Sequence, residues 1–132
     1  MNNVFKIEII SPEKYFLSRE DVTEVVVPAF EGDMGILKDH ISIISFLKPG
    51  IIKVFSGSEE EKFYVEDGIL EFKDNSLSIL TSNIFDINNS DKEKIQEMIK
   101  QAEGELVDNN LDDQKRYIIS QKVEVLKSLN LN

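Results

Sequence analysis

His40 is the only histidine of the chain, and it follows Asp39. A histidine beside an acid can serve as a general base, provided that a nucleophile, a substrate or a metal lies within reach. The nearest hydroxyls in sequence are Ser42 and Ser45, which sit in an apolar run with no nucleophile-elbow pattern. His40 therefore reads as a structural or turn residue. Glu31 with Asp33, and the run Glu59-Glu60-Glu61, are the other groups that could do chemistry, as ligands of a cation. Neither follows the alternating ligand spacing of a calcium loop. The first pair lies in a glycine-containing loop and the second in a turn signal, so both read as solvated acids. No GxGxxG or P-loop pattern is present, which leaves nucleotide hydrolysis without support. With no cysteine there is no thiol chemistry, disulfide or zinc–thiolate site. The expectation is a binding or regulatory module with no catalytic residue, metal or cofactor of its own.

The elements that position these residues change character once. Up to about residue 85 the chain is a series of short apolar runs cut by turn signals. Phe5 to Ile10 ends at Ser11-Pro12, and Val22 to Val27 is closed by Pro28. Ile41 to Leu47 is apolar without a decisive period, and Pro49-Gly50 turns into Ile51 to Phe55. Gly57-Ser58-Glu59-Glu60 reads as a hairpin turn into Lys62 to Glu66. Asp67-Gly68 opens Ile69 to Phe72, and Asp74-Asn75 leads into Leu77 to Leu80. Many short strands at close spacing predict an antiparallel sandwich or barrel. Gly32, Gly35, Gly50 and Gly68 read as positions that need positive φ or close approach.

After Asn89 the period becomes helical. Ser90 with Glu93 is a capping-box pattern. Ile95, Met98, Ile99, Ala102 and Leu106 then fall on one face. Asp108-Asn109-Asn110 breaks the pattern, with Asn109-Asn110 suited to left-handed dihedrals. A second helix starts near Leu111 to Asp113 and lines up Ile118, Ile119, Val123, Leu126 and Leu129. Two amphipathic helices on a short connection predict an antiparallel hairpin. Their apolar stripes are narrow, so docking of the hairpin on the sandwich is expected to be marginal. The expected organisation is a β-sandwich over residues 1–85 and an α-helical hairpin over residues 86–132.

The formal net charge is -10, with 8 basic against 15 acidic residues up to residue 85. Such a surface repels a phosphate backbone or an anionic lipid, so nucleic-acid binding and direct lipid insertion are disfavoured. From Lys115 onward the last helix is the exception, with Lys115, Arg116, Lys122 and Lys127 against Glu124 alone. One reading is a solvated face with cations placed well for the helix dipole; the other is a docking helix for an acidic partner.

Taken together, Val27-Pro28, Glu31-Gly32-Asp33-Met34-Gly35-Ile36-Leu37, His40 and Leu47-Lys48-Pro49-Gly50 stand in an order and spacing that resembles the epsilon subunit of the F-type ATP synthase. Asp67-Gly68-Ile69-Leu70-Glu71 resembles that family's next landmark. The resemblance implies a β-sandwich of about ten strands followed by a helical hairpin, in a non-catalytic subunit of the rotating central stalk. It implies binding to the gamma subunit and contact with the c-ring, at the cytoplasmic face of the bacterial inner membrane. It also implies a hairpin that can leave the sandwich and restrain ATP hydrolysis. On this sequence, Glu31, Gly32 and Asp33 would face the c-ring, and His40 and Ser42 would lie toward gamma. Lys115, Arg116, Lys122 and Lys127 would meet the alpha/beta head when the hairpin extends. Some members bind ATP through an Ile/Leu-Asp-x-x-Arg-Ala motif at the first helix. Here the matching stretch is Ile87-Asn88-Asn89-Ser90-Asp91-Lys92, with an acid where the cation should meet phosphate, which argues against a strong ATP site.

Overall fold

The computed structural model describes residues 3–12 and 14–129. Ten strands come first: β1 (Phe5–Ser11), β2 (Lys14–Val22), β3 (Glu24–Ala29), β4 (Gly32–Leu37), β5 (Ile43–Leu47), β6 (Gly50–Ser56), β7 (Glu59–Val65), β8 (Gly68–Lys73), β9 (Ser76–Leu80) and β10 (Ile84–Asp86). A short 3-10 turn (Ile87–Asn89) leads to α1 (Lys92–Leu106) and α2 (Asp113–Leu129). The sheet runs β10-β7-β6-β3-β5-β8-β9-β1-β2, with β4 paired to the free edge of β3. It folds over itself where β3 passes from β6 to β5, the latter held through Ala29 opposite Leu47. The two layers that result enclose one core, in which Ile7, Ile9, Val22, Val25, Val27, Ile36, Ile52, Val65, Leu70, Leu77 and Ile79 are fully shielded from water.

The expected architecture, a ten-stranded sandwich with a helical hairpin, is the observed one. One detail differs: β1 and β9 pair in parallel, so the sheet is mixed. Three strands carry no clear sequence signal. In β2, Phe16 and Leu17 are adjacent and do not alternate, and among the described residues the strand has only β1 as a ladder neighbour. Its ladder also shifts register twice, which a period of two does not reveal. In β4, two glycines hide the alternation that buries Ile36. The three-residue β10 is held by its pairing with β7. Pro28 does not close its strand. It lies inside β3 at the handover between β6 and β5, where a missing N–H is tolerated. Ile41 lies outside β5 and is 77% exposed.

The helix starts also refine the expectation. Asp91, one residue after Ser90, is the N-cap of α1, and its carboxylate accepts from Glu93 N at 2.9 Å. The Ser90 hydroxyl instead donates to the Ile87 carbonyl at 2.6 Å. Asp112 plays the capping part for α2, accepting from Lys115 N at 2.8 Å. Asn109 and Asn110 are not left-handed. The non-glycine residues with positive φ among those described are Asp39, Asp74 and Asn75. Asp74 and Asn75 form the two-residue turn of the β8–β9 hairpin, where positive φ matches the twist of the strands. Asn75 also exchanges two hydrogen bonds with Asp39, at 2.7 and 3.0 Å, which ties that turn to the end of β4.

Ile95 and Ile99 of α1 and Leu126 of α2 are buried with Tyr64 of β7 in a second, smaller cluster that Phe85, Ile87 and Met98 border. Phe63 and Val65 point into the main core, while Tyr64 between them points out to the hairpin, as strand alternation requires.

Candidate functional site: two ends and an apolar face

The turn Phe30-Glu31 joins β3 to β4 at one end of the sandwich. Gly32 follows with φ at 133°, a conformation that a side chain would strain. That residue turns the chain so tightly that Glu31 and Asp33 both stand exposed at the tip. These two acids are brought together on one hairpin. Among the described residues no group of three or more His, Asp or Glu side chains converges as a metal site.

His40 lies at the opposite end, beyond the far terminus of β4. A strand of this length spans about 20 Å, so the Glu31–Asp33 tip and the His40–Ser42 segment are separate contact points. The His40 ring meets Phe72 edge-on at 5.8 Å. Its Nδ1 lies 2.7 Å from the Ile41 carbonyl, which can only accept, so the proton is on Nδ1. These contacts fix the ring in a structural role. Ser42 is exposed beside it.

Between the two ends runs a feature that the sequence reading did not single out. Strand β5 is apolar on both faces. Leu47 enters the core, while Ile44 and Phe46 are 67% and 59% exposed on the outside. Phe46 stands opposite Ile69, and Ile69 opposite Leu80. Phe46, Ile69 and Leu80 therefore form a contiguous apolar row across the outer face of β5, β8 and β9, with Ile44 beside Phe46 on β5, of the kind that marks an interaction surface. The available signal was the run Ile43-Ile44-Ser45-Phe46-Leu47 itself, with apolar residues at consecutive positions, as in a strand covered from both sides. The row continues into a groove of about 870 Å³ between the Phe30 end of the sandwich and Ile118 of α2. Lys122 and Glu66 stand on its rim.

The four cations of the last helix are not equivalent. Lys122 Nζ lies 2.9 Å from Glu66 Oε2 of the sandwich. Lys127 pairs with Glu103 of α1 at 2.9 Å. Arg116 forks its guanidinium onto the carbonyls of Leu106 and Asp108, at 2.8 and 2.9 Å, and so closes the connection between the helices. Lys115 is exposed. Elsewhere, Arg19 binds Asp21 and also Glu61, clasping β2 to β7 across the layers. The hydrogen bond from Arg19 holds the Asp21 carboxyl below the usual carboxylate range. Burial pushes the Tyr64 hydroxyl well above its ordinary value, and the charge of Glu66 adds to the effect.

A folded-over β-sandwich with two exposed ends, an apolar outer face and a docked two-helix tail defines the class. The model of the ATP synthase delta/epsilon chain β-sandwich domain matches residues 4–87. The ATP synthase epsilon chain of Pelagibacter ubique is 65% identical over 98% of this chain and 100% of its own length. That of Dichelobacter nodosus is 35% identical over 89% of this chain and 85% of its own. The chain belongs to the ATP synthase epsilon-chain family. Its fold is also that of a chain in the mitochondrial ATP synthase of Euglena gracilis, solved with OSCP, F1 and c-ring, with a TM-score of 0.76 and 20% identity over 99% of this chain and 82% of that one. A chain of the Tetrahymena thermophila central stalk and c-ring gives a TM-score of 0.63 at 16% identity, over 95% of each.

Proposed function

We propose that the chain is a non-catalytic part of the rotor of an ATP synthase, held on the gamma subunit and touching the c-ring. The observation that carries this reading is the exposed apolar row Ile44, Phe46, Ile69 and Leu80. In the free chain it faces water, which costs free energy that a bound partner recovers. The row runs from the His40–Ser42 segment, proposed to lie toward gamma, to the Phe30 end. There Glu31, Gly32 and Asp33 meet polar loops of the c-ring. One side of the molecule thus spans both partners, and this is how it couples ring rotation to the catalytic head. Relatives solved with a c-ring and a central stalk support the same placement. No helix of the described residues is long and apolar enough to cross a membrane. The chain reaches the cytoplasmic face of the membrane through its partners.

The sandwich and the hairpin act as two units, and the hairpin restrains ATP hydrolysis when it leaves the sandwich for the acidic head. The test is truncation in the assembled complex. A cut after Phe85 removes the last residue of β10, so the cut belongs after Ser90, which leaves β10 and its turn whole. The truncated chain should still co-purify with gamma, and ATP hydrolysis should rise. Loss of gamma binding would refute the rotor reading; unchanged hydrolysis would refute the restraint by the hairpin.

A further inference from the structure

The hairpin's hold on the sandwich is small. Its buried contribution to the seam is Ile95, Ile99 and Leu126 around Tyr64, because Ala102 and Val123 are buried outside that cluster. Alongside the seam, Lys122 reaches from α2 to Glu66, which follows β7, and both side chains are largely shielded from water. The same carboxylate oxygen accepts from the Tyr64 hydroxyl at 3.4 Å. Glu66 therefore joins the apolar centre of the seam to its charged edge. An ion pair in such a half-shielded position gains more than one on an open surface, and loss of one member leaves the other poorly solvated.

We propose that the Lys122–Glu66 pair, set over the Tyr64 hydroxyl, is the latch that keeps the hairpin docked. Lys122 cannot serve Glu66 and an acidic partner at once. Docking on the sandwich and engagement of a partner by this face of α2 are mutually exclusive, with the choice written into one ammonium group. Lys127 and Arg116 do not share this property, because their bonds lie within the hairpin and travel with it. The latch deepens the regulatory reading above and rests on it for the identity of the acidic partner, but not for the docked state itself.

Hydrogen exchange on the free, full-length chain tests the latch apart from any measurement of ATP hydrolysis. Glu66→Gln and Lys122→Gln should each raise the exchange rate of the protected amides of α1 and α2 by about five-fold, a change of less than one decade in the docking equilibrium. Amides of β3 and β6 should keep their protection, which establishes that each variant is folded. The charge-swapped double variant, Glu66→Lys with Lys122→Glu, should recover most of the lost protection. Parental exchange in both single variants would overturn the proposal, and so would a double variant as loose as the singles.

Discussion

Gly50 is packed directly on Pro28: a Cβ added at Gly50 would stand 2.4 Å from the Pro28 Cβ. The two residues are held in this contact by the Lys48 amide, which donates to the Pro28 carbonyl at 3.0 Å. Both residues are buried, so the proline cannot move aside into solvent. This contact sits where β3 passes from β6 to β5 and lets the sheet fold over. Gly50→Ala is therefore expected to destabilise the sandwich by about 1–3 kcal/mol or more, the range for overpacking in a filled core. Urea unfolding followed by circular dichroism reads this directly. A loss below about 0.5 kcal/mol would show that the fold-over does not depend on the contact.

This contact also explains what could and could not be read from the sequence. Pro28 and Gly50 were legible as backbone specifications, but a proline inside a strand reads as its end, because the sequence does not show which ladder bonds are absent. Strands β6, β8 and β9 were legible because one face enters the core and the other does not. Strand β2 was not, since its bulged register breaks the period. The helices were found from their stripes, and the shift of the cap from Ser90 to Asp91 is the one-residue slip that periodicity leaves open. At the candidate site, the Glu31–Asp33 tip was legible from Gly32. The apolar row was not, because Phe46, Ile69 and Leu80 become neighbours only through strand pairing.

The Tyr64 hydroxyl links docking to alkaline pH. Burial raises its pKa above that of the unfolded chain, so the folded state holds the proton that the unfolded state loses. Stability from the neutral hydroxyl is complete below the ordinary tyrosine value of about 10 and is lost as pH rises from there toward the raised folded value. Hairpin amides should thus lose protection above about pH 10 faster than strand amides, after correction for intrinsic exchange. Tyr64→Phe keeps the ring against Phe85, whose centroid lies 5.0 Å away, and should remove that part of the pH dependence. Equal pH dependence in the parent chain and the variant would refute the role of this hydroxyl.

Nucleotide binding at the start of α1 is expected to be absent. A hollow beside this helix end is lined by Lys62, Lys92 and Ser90, which gives some positive charge. However, Asp91 places its carboxylate on the Glu93 N–H in the first turn of the helix, where a phosphate would have to sit. Ser90 spends its hydroxyl on Ile87. Calorimetric titration with ATP should give no saturable heat below about 1 mM, a binding free energy of about -4 kcal/mol. Tight saturable binding would mean that Asp91 can be displaced.

Charge reversal at the exposed tip, with Glu31→Lys and Asp33→Lys together, separates contact from folding. Neither acid supports the core, so the change in stability should stay within about 0.5 kcal/mol. In the assembled enzyme the same variant should lower proton-driven ATP synthesis while the free chain unfolds as before. Undiminished synthesis would show that these acids only solvate the turn.

Arg116 and Lys115 are neighbours in the sequence and should behave as opposites. Arg116 bonds two carbonyls at the connection between the helices, and its removal takes this donor from Leu106 and leaves Asp108 with the Leu111 amide, at 3.4 Å. Arg116→Ala is expected to cost the hairpin about 1–2 kcal/mol, between the values for a charged hydrogen bond and for an exposed pair. The cost should appear as faster exchange at the C-terminal end of α1. Lys115 is exposed, and Lys115→Ala should leave exchange unchanged. If the last helix meets an acidic surface when it extends, Lys115→Ala should instead raise ATP hydrolysis in the assembled complex. The two variants together decide what the basic character of the helix is for. A Lys115 variant silent in both measurements would assign that charge to solvation, and an Arg116 variant that alters hydrolysis without loosening the hairpin would move the arginine from the hairpin connection to the partner surface.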